Sequence, residues 1–156
     1  MRIFSLLAFG IVVMAVATVV IRSSAGAPTI PQKAAVLIGA HSFDAEIADT
    51  LTTRNKGLSG RPSLPPNSAM LFVFGIPGAY GFWMKDMRFP IDIVWMRKGK
   101  IIGFAENVQP EPGKNILRLQ SYYPPSAVDR VLEINAGLVK QHGFTVGDAV
   151  RIVFGA

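Results

Sequence analysis

The chain has 156 residues, half of them apolar, with sixteen Lys/Arg against ten Asp/Glu, a formal charge of +6 and no cysteine. That length suits one domain of ordinary size, and the missing cysteines exclude disulfide scaffolds, thiolate metal sites and cysteine nucleophiles. The basic residues are scattered without a recognition motif, so no nucleic-acid partner is expected from charge alone.

The N-terminal run comes first. Ile3 to Ile21 is nineteen residues without a charge, bounded by Arg2 and Arg22. As a helix it spans roughly 28 Å, the thickness of a bilayer's hydrocarbon core. Two readings compete: an uncleaved membrane anchor over residues 1–22, or a signal peptide cut after Ala25-Gly26-Ala27. The length of the run, Arg22 directly after it and Pro28 just beyond the cut favour the anchor. Under either reading the rest of the chain lies outside the cytoplasm, on the cell membrane or released from it; a wholly cytosolic chain is the third possibility. The membrane is thus the expected partner, through Ile3 to Ile21. Residues 23–32, small, polar and carrying Pro28 and Pro31, read as a linker. Residues 33–156 then form one β-rich domain, where fourteen Lys/Arg face ten Asp/Glu.

Within that domain the pattern predicts short strands over residues 34–39, 43–48, 70–74, 81–85, 91–96, 100–107, 128–134 and 149–154. Two short helices interrupt them. Thr50 can cap residues 51–56 with Gly57 as the stop, and Asn135 can cap residues 136–142 with Gly143 as the stop. The expected fold class is mainly β, a compact antiparallel sandwich or small barrel with two short helices, behind an N-terminal hydrophobic helix. Arg97, Lys98 and Lys100 around Gly99 read as a solvated hairpin tip.

Charges in apolar strands are the candidate functional residues. Asp92 interrupts a strand apolar on both faces, so its carboxylate is expected in low dielectric, where it needs a cation or several hydrogen-bond donors. The connection over residues 87–90 is short enough to fold this strand back beside the preceding one, which makes Lys85 the nearest partner, with Arg88 second. Backbone donors are the alternative. A pocket built on Lys85, Asp86 and Asp92, walled by Phe82 and Trp83, is the functional counterpart of that structural reading. Glu133 alternates with Val131 and Asp129, a pattern that fits a solvated face.

Motifs of known chemistry are missing: no G-x-S-x-G elbow, no H-E-x-x-H, no P-loop and no G-x-G-x-x-G before a helix. His41 and His142 lie too far apart in sequence for the usual local spacing of zinc ligands. No metal or cofactor is expected.

Three blocks nonetheless resemble a known family: Arg54-Asn55-Lys56-Gly57-Leu58-Ser59-Gly60-Arg61 with Leu64; Ala69-Met70-Leu71-Phe72-Val73-Phe74; and Phe82-Trp83-Met84-Lys85-Asp86 through Pro90-Ile91-Asp92-Ile93. A weaker fourth joins Val131-Leu132-Glu133-Ile134-Asn135-Ala136-Gly137 to Gly147-Asp148. The chain resembles the bacterial and archaeal domain of unknown function 192 family. Departures are modest: Ala69, Asp86 and Ser59 stand where the family often has Gly, Asn and Met, and the cysteines of some members are missing. The resemblance implies a compact, mostly β domain, often behind a signal or anchor, and brings no reaction. It carries over Arg61, Trp83, Lys85 and Asp92 as a candidate cluster, with Glu133 less securely. Two function classes stay open. One is an envelope-associated, extracytoplasmic binding or accessory module. The other is a hydrolase or transferase with Asp92 as base and Lys85 as electrostatic stabiliser.

Overall fold

A computed structural model describes residues 32–155; the apolar run from Ile3 to Ile21 and the linker before Gln32 lie outside the described residues. Among the described residues no helix is long and apolar enough to cross a membrane.

β1 (Lys33–Ile38) and β2 (His41–Ala48) pair in antiparallel register from Lys33↔Glu46 to Ile38↔His41. Their loop is two residues long, and Gly39 carries the positive φ, 57°, that so tight a hairpin demands. Thr50 caps α1 (Leu51–Lys56): its hydroxyl accepts from the Thr53 N–H while the Thr53 hydroxyl accepts from the Thr50 N–H, a reciprocal capping box. Gly57 ends the helix at φ 47°. β3 (Ser68–Gly78) then runs parallel to β2, with Asp44↔Ser68 through Ala48↔Phe72 in register. This corrects the all-antiparallel expectation. α1 and the loop after it return the chain to the end of the sheet where β2 began, and such a crossover makes a parallel pair.

β4 (Phe82–Trp83) is only two residues and pairs with β7 (Ser121–Tyr122) in a separate small ribbon. β5 (Ile91–Arg97), β6 (Lys100–Val108) and β8 (Val128–Asn135) continue the main sheet, with β5 between the other two. The β5–β6 turn places Lys98 at φ 50° and Gly99 at φ 72°, the two successive positive values of a type I′ hairpin. α2 (Leu138–His142) and β9 (Val150–Phe154) complete the chain. α2 begins two residues later than expected, at Leu138 after Gly137, without a side-chain cap. Asn135 stays extended because it still pairs with Ile91, and its amide donates to the Leu64 carbonyl at 3.0 Å.

The seven-stranded sheet has the order β6-β5-β8-β3-β2-β1-β9. It curls into a half-barrel whose edge strands meet at one end: Val150 N–H donates to the Gly99 carbonyl at 2.8 Å, and Ile101 N–H to the Asp148 carbonyl at 2.9 Å. The inner face holds one core, including Val36, Phe43, Leu71, Val94 and Leu132, closed by Val139 of α2 and Phe144. The outer face of β3, β8 and β5 holds the second, where Phe72, Val131 and Ile93 lie under Leu58, Leu64, Met84 and Met87. Because successive residues point to opposite faces, Asp92 and Glu133 serve different cores: Asp92 is paired with Ile134 on the inner face, Glu133 with Ile93 on the outer.

Candidate functional site

Asp92 is fully buried, as its strand implied. One carboxylate oxygen accepts from Asn107 N–H at 2.7 Å and the other from Val139 N–H at 2.9 Å. The carboxylate therefore ties the first turn of α2 to the irregular end of β6, where Asn107 takes φ 50°. Lys85 is not its partner. β5 lies between β6 and β8 rather than beside β4, so the expected fold-back does not occur, and Lys85 sits half-exposed on a turn with its ammonium 3.6 Å from Asp86. Among the described residues Arg88 makes no hydrogen bond or ion pair with Asp92 either; backbone donors satisfy the acid.

The outer core opens instead into a cleft of about 520 Å³ between α1, the end of β3 and the 80–83 segment. Local sequence builds its walls. Arg54 reaches from α1 to the Val73 carbonyl at 2.9 Å and lies over the Phe74 ring, 5.3 Å from its centroid, which holds the helix against β3. Tyr80 stacks on Phe74 at 3.7 Å, and Phe82 meets Phe72 edge-on at 5.0 Å. Ser59 donates to the Lys85 carbonyl and Gly60 N–H to the Asp86 carbonyl, so the loop after α1 is bound to the turn after β4. Asp86 adopts φ 54° in that turn. At the mouth three large apolar side chains stand in solvent: Leu51, Ile76 and Trp83, at 70%, 76% and 45% exposure.

Glu133 lies on the floor of this cleft. The residue is 6% exposed and flanked across the sheet by Met70 and Ile93; among the described residues no group hydrogen-bonds its carboxyl, which opens to the cleft. Burial pushes its ionisation up to about 8 from an ordinary 4.5, against a smaller downward pull from the Arg61 guanidinium. Arg61 itself is held in a bidentate pair with Glu46, at 2.6 and 2.8 Å, which lowers the Glu46 carboxyl below its usual range and raises the guanidinium. The solvated face expected for Glu133 is thus absent. α1 and the 58–64 loop cover that face, and a strand's own alternation carries no trace of a cover drawn from elsewhere in the chain.

Of the six residues singled out in sequence, two line the cleft, Trp83 and Glu133, and Arg61 stands close enough to act on Glu133 through its field. Lys85 and Asp86 occupy a smaller neighbouring pocket with Glu111 and Lys114. Asp92 is on the other side of the sheet. Sequence reasoning missed Arg54, Lys56, Phe72, Phe74 and Tyr80 as site residues, although the first four lie in blocks that carry the family resemblance. Elsewhere, His41 and His142 stack at 3.7 Å, and among the described residues no three His, Cys, Asp or Glu side chains gather as a metal site would require.

Residues 34–152 match the DUF192 family, described as an uncharacterised ACR. A comparison with curated proteins gives no match. Two solved structures are similar. One is a protein from Sinorhizobium meliloti 1021 described as a candidate transcription regulator, at 28% identity and TM-score 0.68, covering 79% of this chain and 94% of that one. The other is a protein of unknown function from Novosphingobium aromaticivorans, at 28% identity and TM-score 0.67, covering 76% of this chain and 83% of that one.

Proposed function

The chain belongs to the DUF192 family, which supplies a fold and no reaction, and we propose that this member is a binding module whose ligand occupies the aromatic cleft. The observation that carries the reading is Glu133: a largely buried acid whose carboxyl, with no hydrogen-bond partner among the described residues, opens into a cavity of about 520 Å³. Cavities of that size with apolar walls and a few convergent polar groups are the usual form of small-molecule sites. The exposed Leu51, Ile76 and Trp83 at the mouth give an apolar body a path inward. No nucleophile, base and orienter stand together here, so the reading is of binding without turnover. It also places the domain outside the cytoplasm, tethered through Ile3 to Ile21 or released by cleavage, where an accessory role in the envelope suits a binding module; it includes no nucleic-acid partner.

The test uses the full chain in lipid nanodiscs and a neutral naphthylamine dye. Energy transfer from tryptophan to bound dye should exceed that from dye in the lipid, and Ile76→Glu, a change at an exposed position, should abolish the excess. Equal transfer in the wild type and the Ile76→Glu protein refutes the cleft as the binding site.

A further inference from the structure

The polar groups of the cleft have an uneven charge. Arg54 and Lys56 line it from α1, and Glu133 is the single acid in the lining. Among the described residues, neither cation has a carboxylate within salt-bridge distance; Arg54 is bonded to main-chain carbonyls of Asp49 and Val73. Tyr80, the remaining titratable group, donates its hydroxyl to the Ile76 carbonyl at 2.6 Å. Arg61, outside the lining, adds a third positive field, reduced by Glu46. Met70 and Ile93, the neighbours of Glu133 in β3 and β5, bring none.

Resting on the binding role above and deepening it, we propose that the cleft takes an apolar monocarboxylic acid, with its hydrocarbon body against the aromatic walls and its acid group hydrogen-bonded to the Glu133 carboxyl in a lining of net positive charge. An ammonium would enter a lining that already holds two cations, with Arg61 nearby, and like charges repel. An alcohol would leave both cations unmatched. A carboxylate answers both features. The cations stabilise its charge, and Glu133, which burial keeps protonated at neutral pH, offers an O–H donor; two carboxyls in one site share a single proton readily. The binding step moves no covalent bond: Glu133 keeps its proton and donates it as a hydrogen bond.

The test measures octanoate, octanol and octylamine against the full chain in lipid nanodiscs, with partition into empty nanodiscs subtracted and the acid followed by its ¹³C-labelled carboxyl. At about pH 6.5 octanoate should bind at least about tenfold more tightly than the alcohol or the amine, the order of one hydrogen bond to a charged group. Raising the pH to about 9.5 ionises Glu133 against the bound carboxylate, and octanoate should weaken at least about tenfold. Glu133→Gln, which has no proton to lose, should remove that pH dependence, and Lys56→Ala, at an exposed position, should weaken octanoate while leaving octanol unchanged. Octylamine binding that tightens as pH rises, octanol matching octanoate, or a pH effect that persists in Glu133→Gln would each overturn the acid as ligand and leave an apolar site. Failure of all three probes to bind, with no tryptophan-to-dye transfer, overturns the binding role itself.

Discussion

Replacing Glu133 by Gln should make the protein more stable, and more so as pH rises. In the folded protein this carboxyl holds its proton to about 8, whereas the unfolded chain releases it at an ordinary 4.5. Between those values the folded state binds the extra proton, so stability falls with rising pH across that window and levels off above it. A displacement of about 3.5 pH units, at about 1.36 kcal/mol each, amounts to roughly 5 kcal/mol. Water entering the cleft makes this an upper figure. Even half of it is a large share of the roughly 5–15 kcal/mol that keeps a domain folded. Gln preserves the shape and hydrogen-bonding capacity of the side chain and cannot ionise. Urea unfolding of wild type and Glu133→Gln, from about pH 4.5 to about pH 9, should give coincident stabilities at the acid end and a gap of several kcal/mol in favour of the variant at the alkaline end. The Glu46–Arg61 pair does not imitate this. Its depressed carboxyl contributes stability above the ordinary carboxylate range and loses it as pH falls below that range, the opposite sign in a different window. Parallel profiles for the two proteins would show that Glu133 is solvated in the folded state and refute the desolvation argument.

Asp92→Ala strips acceptors from two main-chain N–H groups and should cost about 2–5 kcal/mol, whereas Lys85→Ala, on an exposed turn, should cost under about 1 kcal/mol; the double mutant should be additive, and a coupling above about 1 kcal/mol would contradict their separation. Arg61→Ala should cost about 1 kcal/mol near neutral pH, since the pair with Glu46 is partly exposed, and the loss should vanish in acid once Glu46 is protonated. The domain from Lys33 onward should unfold cooperatively without the preceding segment, as read by coincident fluorescence and circular-dichroism transitions. A reporter active only in the cytoplasm, fused after Ala156, should stay silent in cells.

Local physics made most of the strands legible. β5 is apolar on both rows and is buried on both. The Thr50 cap and the Gly57 stop delimit α1, and Lys98-Gly99 makes the hairpin tip that its charges suggested. What sequence could not supply is contact between segments distant along the chain. Asp92 carries the mark of a buried acid, but its donors, Asn107 and Val139, are anonymous N–H groups with no side-chain signature. The cleft fails to show for a related reason: its walls come from α1, β3, the 80–83 segment and β8, and each aromatic reads locally as core. Glu133 is the clearest instance, since alternation fixes its row but not what covers that row. Likewise, nothing in residues 49–67 states that β3 will run parallel to β2.

The short tie between the first residues of β6 and β9 has a bearing on how this domain avoids its own copies. Closure at one end only leaves two strand edges diverging from Gly99 and Val150, each with unsatisfied main-chain donors and acceptors that a second molecule could extend. Both are blunted. On β6, irregular register against β5 and the left-handed Asn107 break the flat repeat, while Pro125 packs over Gly103, so close that a methyl group there would lie 3.1 Å from its ring. β9 is five residues long and carries exposed Arg151 on its free side of the sheet. Val153, half-exposed two residues on and on the same face, is what that charge guards. Removing it, as in Arg151→Val, would extend that apolar face along the edge, a ready template for sheet-to-sheet aggregation.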